Sequence, residues 1–131
     1  MTDRRVTSAG HWTLSLPADF EEINNGDSWQ AVANDRIVYI SAIGAKGKDG
    51  LLIPAETLCA TAGRALDPTR EQHRFSTPPL AGVAQLTRED GHSQLMGFVC
   101  AAGTVATCVV NFDNESDSEW ALTTWRSLRH P

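Results

Sequence analysis

Three stretches of this chain carry apolar side chains on both sides of an extended backbone: residues 37–43 (Ile-Val-Tyr-Ile-Ser-Ala-Ile), 95–102 and 105–110. Successive side chains of a strand point to opposite faces, so a strand with one wet face alternates between apolar and polar residues. A strand without that alternation belongs in the middle of a sheet covered on both faces. A chain with three such strands must cover one sheet twice, and it has few segments with which to do so.

Two segments read as the cover. Over residues 54–66, Ala55, Leu58, Cys59, Ala62 and Leu66 recur at helical spacing and form one apolar stripe. Pro54 suits the first helical position, and Asp67-Pro68 ends the helix. The second helix starts near Ser116, which stands three residues before Glu119 as in a capping box. Its buried stripe is Ala121, Leu122, Trp125 and Leu128.

Extended segments and turns fill the rest. Residues 11–16 alternate, with Trp12, Leu14 and Leu16 on one side, and Pro17 closes that strand. Residues 17–26 read as a connector in which Phe20 and Ile23 pack one turn of helix, ending in the Asn25-Gly26 turn. Asn34-Asp35 tolerates the positive φ of a two-residue hairpin loop between residues 29–33 and 36–43. Residues 44–50 form a glycine-rich loop. Residues 69–79 form a polar loop closed by Pro78-Pro79, the expected most mobile segment. Strands over residues 80–87, 93–102 and 105–112 follow, with turns at Asp90-Gly91 and Gly103-Thr104. The order is β-β-β-α-β-β-β-α, and short turns between neighbouring strands imply antiparallel pairing. The expected fold class is α+β: a mainly antiparallel sheet of about six strands with two long helices. The 131 residues suit a single domain, 1–131, with residues 1–9 as a flexible N-terminal tail. Because each helix follows a three-strand unit of the same sense, both are expected on one sheet face. The other face then exposes an apolar patch that a second copy or a partner must bury.

This order of elements resembles the Mog1/PsbP-like superfamily: a strand ending at Leu16-Pro17, an acidic and aromatic turn, a meander, a helix, three more strands and a closing amphipathic helix. The resemblance implies an antiparallel sheet with helices on its faces. It also implies a role as an adaptor, a chaperone-like binder or an accessory subunit, without shared catalytic residues.

The side chains with chemistry point the same way. A net charge of −5 with no basic run argues against nucleic acid or an anionic membrane as partner. No stretch is apolar and long enough to span a bilayer, and residues 1–10 do not read as a signal peptide, so a cytoplasmic location is expected. Cys59, Cys100 and Cys108 fall on apolar faces and are expected to be buried and reduced. Looping at Gly103-Thr104 sets Ala102 against Val105 and Cys100 against Thr107, with Cys108 on the other face. His11, His73, His92 and His130 lack metal-ligand spacing, so neither a metal nor a cofactor is expected. Residues 44–50 lack the glycine and the Ser/Thr of a phosphate loop, since Ala42 and Asp49 occupy those positions. Asp113, Glu115, Asp117 and Glu119 surround a helix N-terminus, where negative charge offsets the helix dipole.

The expectation is therefore a non-catalytic interaction module, bacterial and adaptor-, chaperone- or immunity-like, that binds a protein, a small ligand or a second copy of itself. The alternative is a small enzyme acting through the His73 loop. The candidate binding residues are Trp29, Tyr39 and Trp120, as contacts on a sheet face or edge, and Arg70, His73 and Arg74, in the charged loop.

Overall fold

A computed structural model describes residues 3–24 and 28–131. The Asn25-Gly26 turn lies outside the described residues. The fold is α+β, built on an antiparallel sheet with two helices. The sheet has seven strands: β3 (Glu21–Asn24), β4 (Ser28–Ala33), β5 (Arg36–Gly44), β6 (His73–Thr77), β7 (Leu80–Glu89), β8 (His92–Ala101) and β9 (Thr104–Phe112). Their order in space is β3-β4-β5-β9-β8-β7-β6. A separate hairpin pairs β1 (Asp3–Thr7) with β2 (Thr13–Pro17). The helices α1 (Ala55–Ala62) and α2 (Ser118–Arg126) complete the fold. Against an expected sheet of about six strands, the described residues form nine strands, seven of them in this sheet, and the helices, at eight and nine residues, are short rather than long.

The three two-sided apolar strands are β5, β9 and β8, and they lie side by side at the centre of the sheet. On one face, Trp29, Val38, Ile40, Leu95, Val99, Cys108 and Val110 join Trp12, Leu14 and Leu16 of the hairpin side and Leu122, Trp125 and Leu128 of the α2 side in one core. On the other face, Ala81, Val83, Cys100 and Val105 pack against Leu58, Cys59 and Leu66 of α1 and the turn after it. The two helices therefore cover opposite faces, and the same-face expectation is overturned. The β1–β2 hairpin is the reason: it shares the first face with α2, so α1 is left to cover the second face alone.

Several local readings change with the context. The expected flexible tail contains β1, which is paired residue by residue with β2, from Asp3 opposite Pro17 to Thr7 opposite Thr13. The expected helical turn at Phe20 and Ile23 is instead β3, paired with β4 from Glu21 opposite Val32 to Asn24 opposite Trp29. The expected mobile loop over residues 69–79 contains β6, an edge strand paired with β7 and joined to it through a cis Pro78-Pro79 bond. The Asn34-Asp35 hairpin forms at the expected place, with Ala33 opposite Arg36, though neither turn residue takes positive φ. So does the Asp90-Gly91 turn, where both residues take positive φ (53° and 80°). The β8–β9 loop is Ala102-Gly103, one residue earlier than expected, so Cys100 faces Val105 and Cys108 faces Gly97. The two cysteines still point to opposite faces.

Before α2, the capping box at Ser116 and Glu119 gives way to Asn114. Its Oδ1 accepts from the Ser116 amide at 3.0 Å and heads a 3-10 turn over Glu115–Asp117. Among the described residues no helix is long and apolar enough to cross a membrane.

Candidate functional site

The register leaves one large surface without cover. On the α1 face, the side chains of β3, β4, β5, β9 and β8 that point outward are Ile23, Val32, Ile37, Tyr39, Ile43, Val109, Met96 and Phe98, interleaved with Gln30, Ser41, Thr107, Asn111 and Gln94. Helix α1 shelters only the β7–β8–β9 end of this face. Beyond it the apolar side chains meet solvent: Ile23 is 43% exposed, Tyr39 40% and Ile43 65%. Leu51 and Leu52, in the loop that follows β5, add two more exposed apolar side chains. The inner face of the same strands is closed, with Val38 and Ile40 buried in one core beside Trp29 and Cys108.

Tyr39 lies at the middle of this surface, cross-strand from Gln30 on one side and Val109 on the other. The ring is apolar and its hydroxyl polar, the combination that favours tyrosine in protein interfaces. The polar side chains between the apolar ones are amides and hydroxyls, so the surface is uncharged at its centre. Charge appears at its rim, with Glu21 at one end and Lys46 and Lys48 in the loop beyond β5.

The other residues expected to bind do not join Tyr39. Trp29 points to the closed face, is buried, and donates from Nε1 to Glu22 Oε1 at 3.1 Å. Glu22 in turn pairs with Arg4 at 3.3 Å. Trp120 stacks on Phe20, with ring centroids 5.6 Å apart, and the Arg36 guanidinium lies 4.6 Å from its centroid. Arg36 also lies within 3.7 Å of Asp19 and 3.5 Å of Asp35. Trp120 is thus engaged in closing the β4–β5 end of the core.

Arg70, His73 and Arg74 do not converge. Arg70 pairs with Asp67 at 3.4 Å, His73 lies 3.9 Å from Glu71, and Arg74 donates to Gln72 at 2.7 Å. Each is occupied by a neighbour two or three residues away. Alternation along β6 sends His73 and Arg74 to opposite faces of the sheet.

Several clefts border the sheet. One, of about 370 Å³, lies between the β4–β5 turn and the ends of β8 and β9, lined in part by Asn34, Ile37, His92, Ser93 and Asp113. At its edge His92 Nδ1 lies 2.7 Å from Asp113 Oδ1. Both side chains are mostly exposed. The sequence reading treated His92 only as a turn histidine, and a separation of 21 residues carried no signal of the pair. Another cleft, of about 360 Å³, is formed in part by Phe75, Pro78, Pro79, Leu80, Arg126 and Arg129.

The thiols are all free and buried, as expected from their apolar faces. Burial pushes the Cys108 thiol up to about 12. Cys59 and Cys100 share the core under α1, a juxtaposition that the sequence reading missed. Only the fold brings α1 onto β8.

No family model matches the chain, and no curated protein does. Among solved structures, a protein of Bacteroides thetaiotaomicron VPI-5482 superposes with a TM-score of 0.72 at 13% sequence identity. The match covers 100% of this chain and 49% of that one, so this chain spans about half the length of that neighbour. The likeness is one of fold.

Proposed function

We propose that this chain is a non-catalytic interaction module and that its open sheet face, centred on Tyr39, docks a protein partner. The observation that carries this reading is the uncovered half of the α1 face. Strand β5 carries Ile37, Tyr39 and Ile43 outward, outside the cluster that α1 covers, with Tyr39 40% and Ile43 65% exposed. Exposed apolar side chains gathered on one sheet face are a mark of an interaction site. The face is broad, and its centre carries no titratable cluster, which suits a protein better than a small ligand.

The partner's chemistry follows from the face: an uncharged apolar patch with hydrogen-bonding groups for Gln30, Ser41, Asn111 and Gln94. A second copy of the chain meets the same description, and so does an unrelated protein. The resemblance to the Mog1/PsbP-like superfamily supports the same kind of role, that of an adaptor or accessory binder. The Bacteroides neighbour is consistent with it only in that its matching fold is accompanied by about as much further polypeptide.

The test pairs capture with sedimentation. Wild-type protein, Tyr39→Glu, Ile43→Glu and a control, Arg70→Ala, are used to capture partners from cell extract, and each is sedimented across a dilution series. The reading requires a bound protein or a self-association that wild type and Arg70→Ala show and both face variants lose. Binding that survives both face variants, or a wild-type chain that is monomeric and captures nothing they lose, refutes it.

A further inference from the structure

Three arginines meet at the C-terminal end of α2. Arg126 is the last residue of the helix and is exposed. Arg129 donates from Nη1 to the Arg126 and Leu128 carbonyls at 2.6 and 2.7 Å. Arg5 reaches across from β1, donating from Nη2 to the Ser127 carbonyl at 2.7 Å and from Nη1 to Ser15 Oγ at 3.0 Å. Oxygens of this kind satisfy the donors without neutralising them. A helix C-terminus carries a partial charge of about −0.5, which offsets little of three guanidiniums. Arg4, Arg36, Arg70 and Arg88 each pair with a carboxylate, whereas among the described residues Arg5, Arg126 and Arg129 pair with none. Positive charge is thus left uncompensated here, in a chain whose net charge is −5.

The charge borders a cleft of about 360 Å³, within the roughly 300–1,000 Å³ of small-molecule sites. Arg126 and Arg129 line it from the α2 side, and Phe75, Pro78, Pro79 and Leu80 from the side of β6 and the turn into β7. The apolar side is held in place. Gly82 opposite Phe75 leaves the seat for its ring, since a Cβ there would clash with it, and the ring meets Trp125 edge-on at 5.1 Å. Leu80 is buried beside them.

We propose that this cleft binds a small organic anion, a carboxylate or phosphate group carried on a flat apolar body. A guanidinium fork donates to two oxygens of such a group at once, which a single ammonium cannot do. Arg129 is already held by its two carbonyl bonds, so little of its side-chain freedom remains to be lost on binding. The apolar body lies against Phe75, Pro78 and Pro79, and Arg5 behind the cleft adds to the field that draws the anion in. The cleft is at the β6 edge of the sheet, on the α2 side, whereas Tyr39 is on β5 and faces the α1 side. The anion site and the docking face are therefore separate, and either can fail alone.

The experiment titrates the isotope-labelled full-length chain with benzoate and with phenyl phosphate at constant ionic strength, and follows backbone amides by two-dimensional NMR. The expected result is saturable shifts at Phe75, Leu80, Arg126 and Arg129 with at least one of the two, the tighter naming the head group. Benzamide keeps the ring without the charge, and inorganic phosphate keeps the charge without the ring. Each binds about tenfold more weakly than its counterpart, or not at all. The Arg126 side chain donates to no carbonyl among the described residues, so Arg126→Glu leaves the end of α2 intact and weakens binding by about tenfold or more. Arg70→Ala leaves binding unchanged. If Arg126→Glu folds poorly, the wild-type comparison of benzoate with benzamide decides. Shifts that do not saturate or that lie away from the cleft, benzamide binding as tightly as benzoate, inorganic phosphate binding as tightly as phenyl phosphate, or a folded Arg126→Glu with unchanged affinity overturns the proposal.

Discussion

At Gly97 the sheet lies directly against Trp125 of α2. A Cβ at this position would lie 2.8 Å from both Cδ1 and Nε1 of Trp125 and 2.9 Å from the Ala84 Cβ. Comfortable carbon contacts lie at about 3.5–4.0 Å, so each of the three must open by about 0.6 Å or more. Trp125 has little room to move. It is buried, its Nε1 donates to the Phe98 carbonyl at 3.2 Å, and its ring meets Phe75 edge-on at 5.1 Å. Intrinsic preference works in the other direction, since a glycine inside a strand is worse than alanine by roughly 0.5–1 kcal/mol. Overpacking a closed core costs typically about 1–3 kcal/mol, and three simultaneous contacts place Gly97→Ala near the upper end. The net loss is about 2 kcal/mol, or roughly 7 °C in Tm for a chain of this length. Urea unfolding with parallel calorimetry measures it. Gly91→Ala is the control: φ there is 80°, and a Cβ would meet nothing within 4 Å. Its cost is the left-handed backbone alone, about 1 kcal/mol. A Gly97→Ala protein as stable as wild type, or more stable, would show that Trp125 is not wedged against β8 and would refute this account of the core.

Two further outcomes test the same framework. Cys108, with its thiol pushed up to about 12 by burial, should resist alkylation at pH 8 until the chain unfolds, and its folded-state pKa lies above its unfolded one, so its contribution to stability is whole below the unfolded thiol pKa of about 8.5 and is lost as pH rises towards 12; alkylation of Cys108 in native protein at the rate of a free thiol would contradict its position. Val6→Asp places a charge in the core beneath the β1–β2 hairpin and should cost about 3 kcal/mol, read as a lower urea midpoint, whereas an unchanged midpoint would mean that the hairpin contributes nothing to the fold.

The elements that were legible in the sequence are those whose signal is local. The Asn34-Asp35 and Asp90-Gly91 turns, the alternation of Trp12, Leu14 and Leu16, and the stripe of Ala121, Leu122, Trp125 and Leu128 each state their structure within a few residues. Misread segments take their structure from a distant neighbour. Residues 21–24 alternate too briefly to announce a strand, and β4 makes them one. Residues 73–77 carry one apolar side chain, Phe75, and this edge strand takes its form from pairing with β7. Residues 3–7 hold a single buried apolar side chain, Val6, so nothing in them separates a strand from a tail until β2 lies alongside.

The candidate site was half legible for a related reason. Two-sided apolar composition marked residues 37–43 as a strand covered on both faces, yet cover exists on only one. Val38 and Ile40 are sealed under Trp29 and the β1–β2 hairpin side, while Ile37, Tyr39 and Ile43 face outward beyond the reach of α1. The pattern that reports burial cannot say what does the burying. Trp29 and Trp120 illustrate the converse, since aromatic content marked them as contacts, whereas strand register turns Trp29 into the core and α2 stacks Trp120 on Phe20. Of the three aromatic candidates only Tyr39 has an apolar ring on the side of β5 that the fold leaves open. A helix of eight residues, about 12 Å long at 1.5 Å per residue, is too short to span five strands at about 4.8 Å spacing. The apolar side chains that α1 cannot reach are therefore the strongest link between this sequence and the surface proposed for its partner.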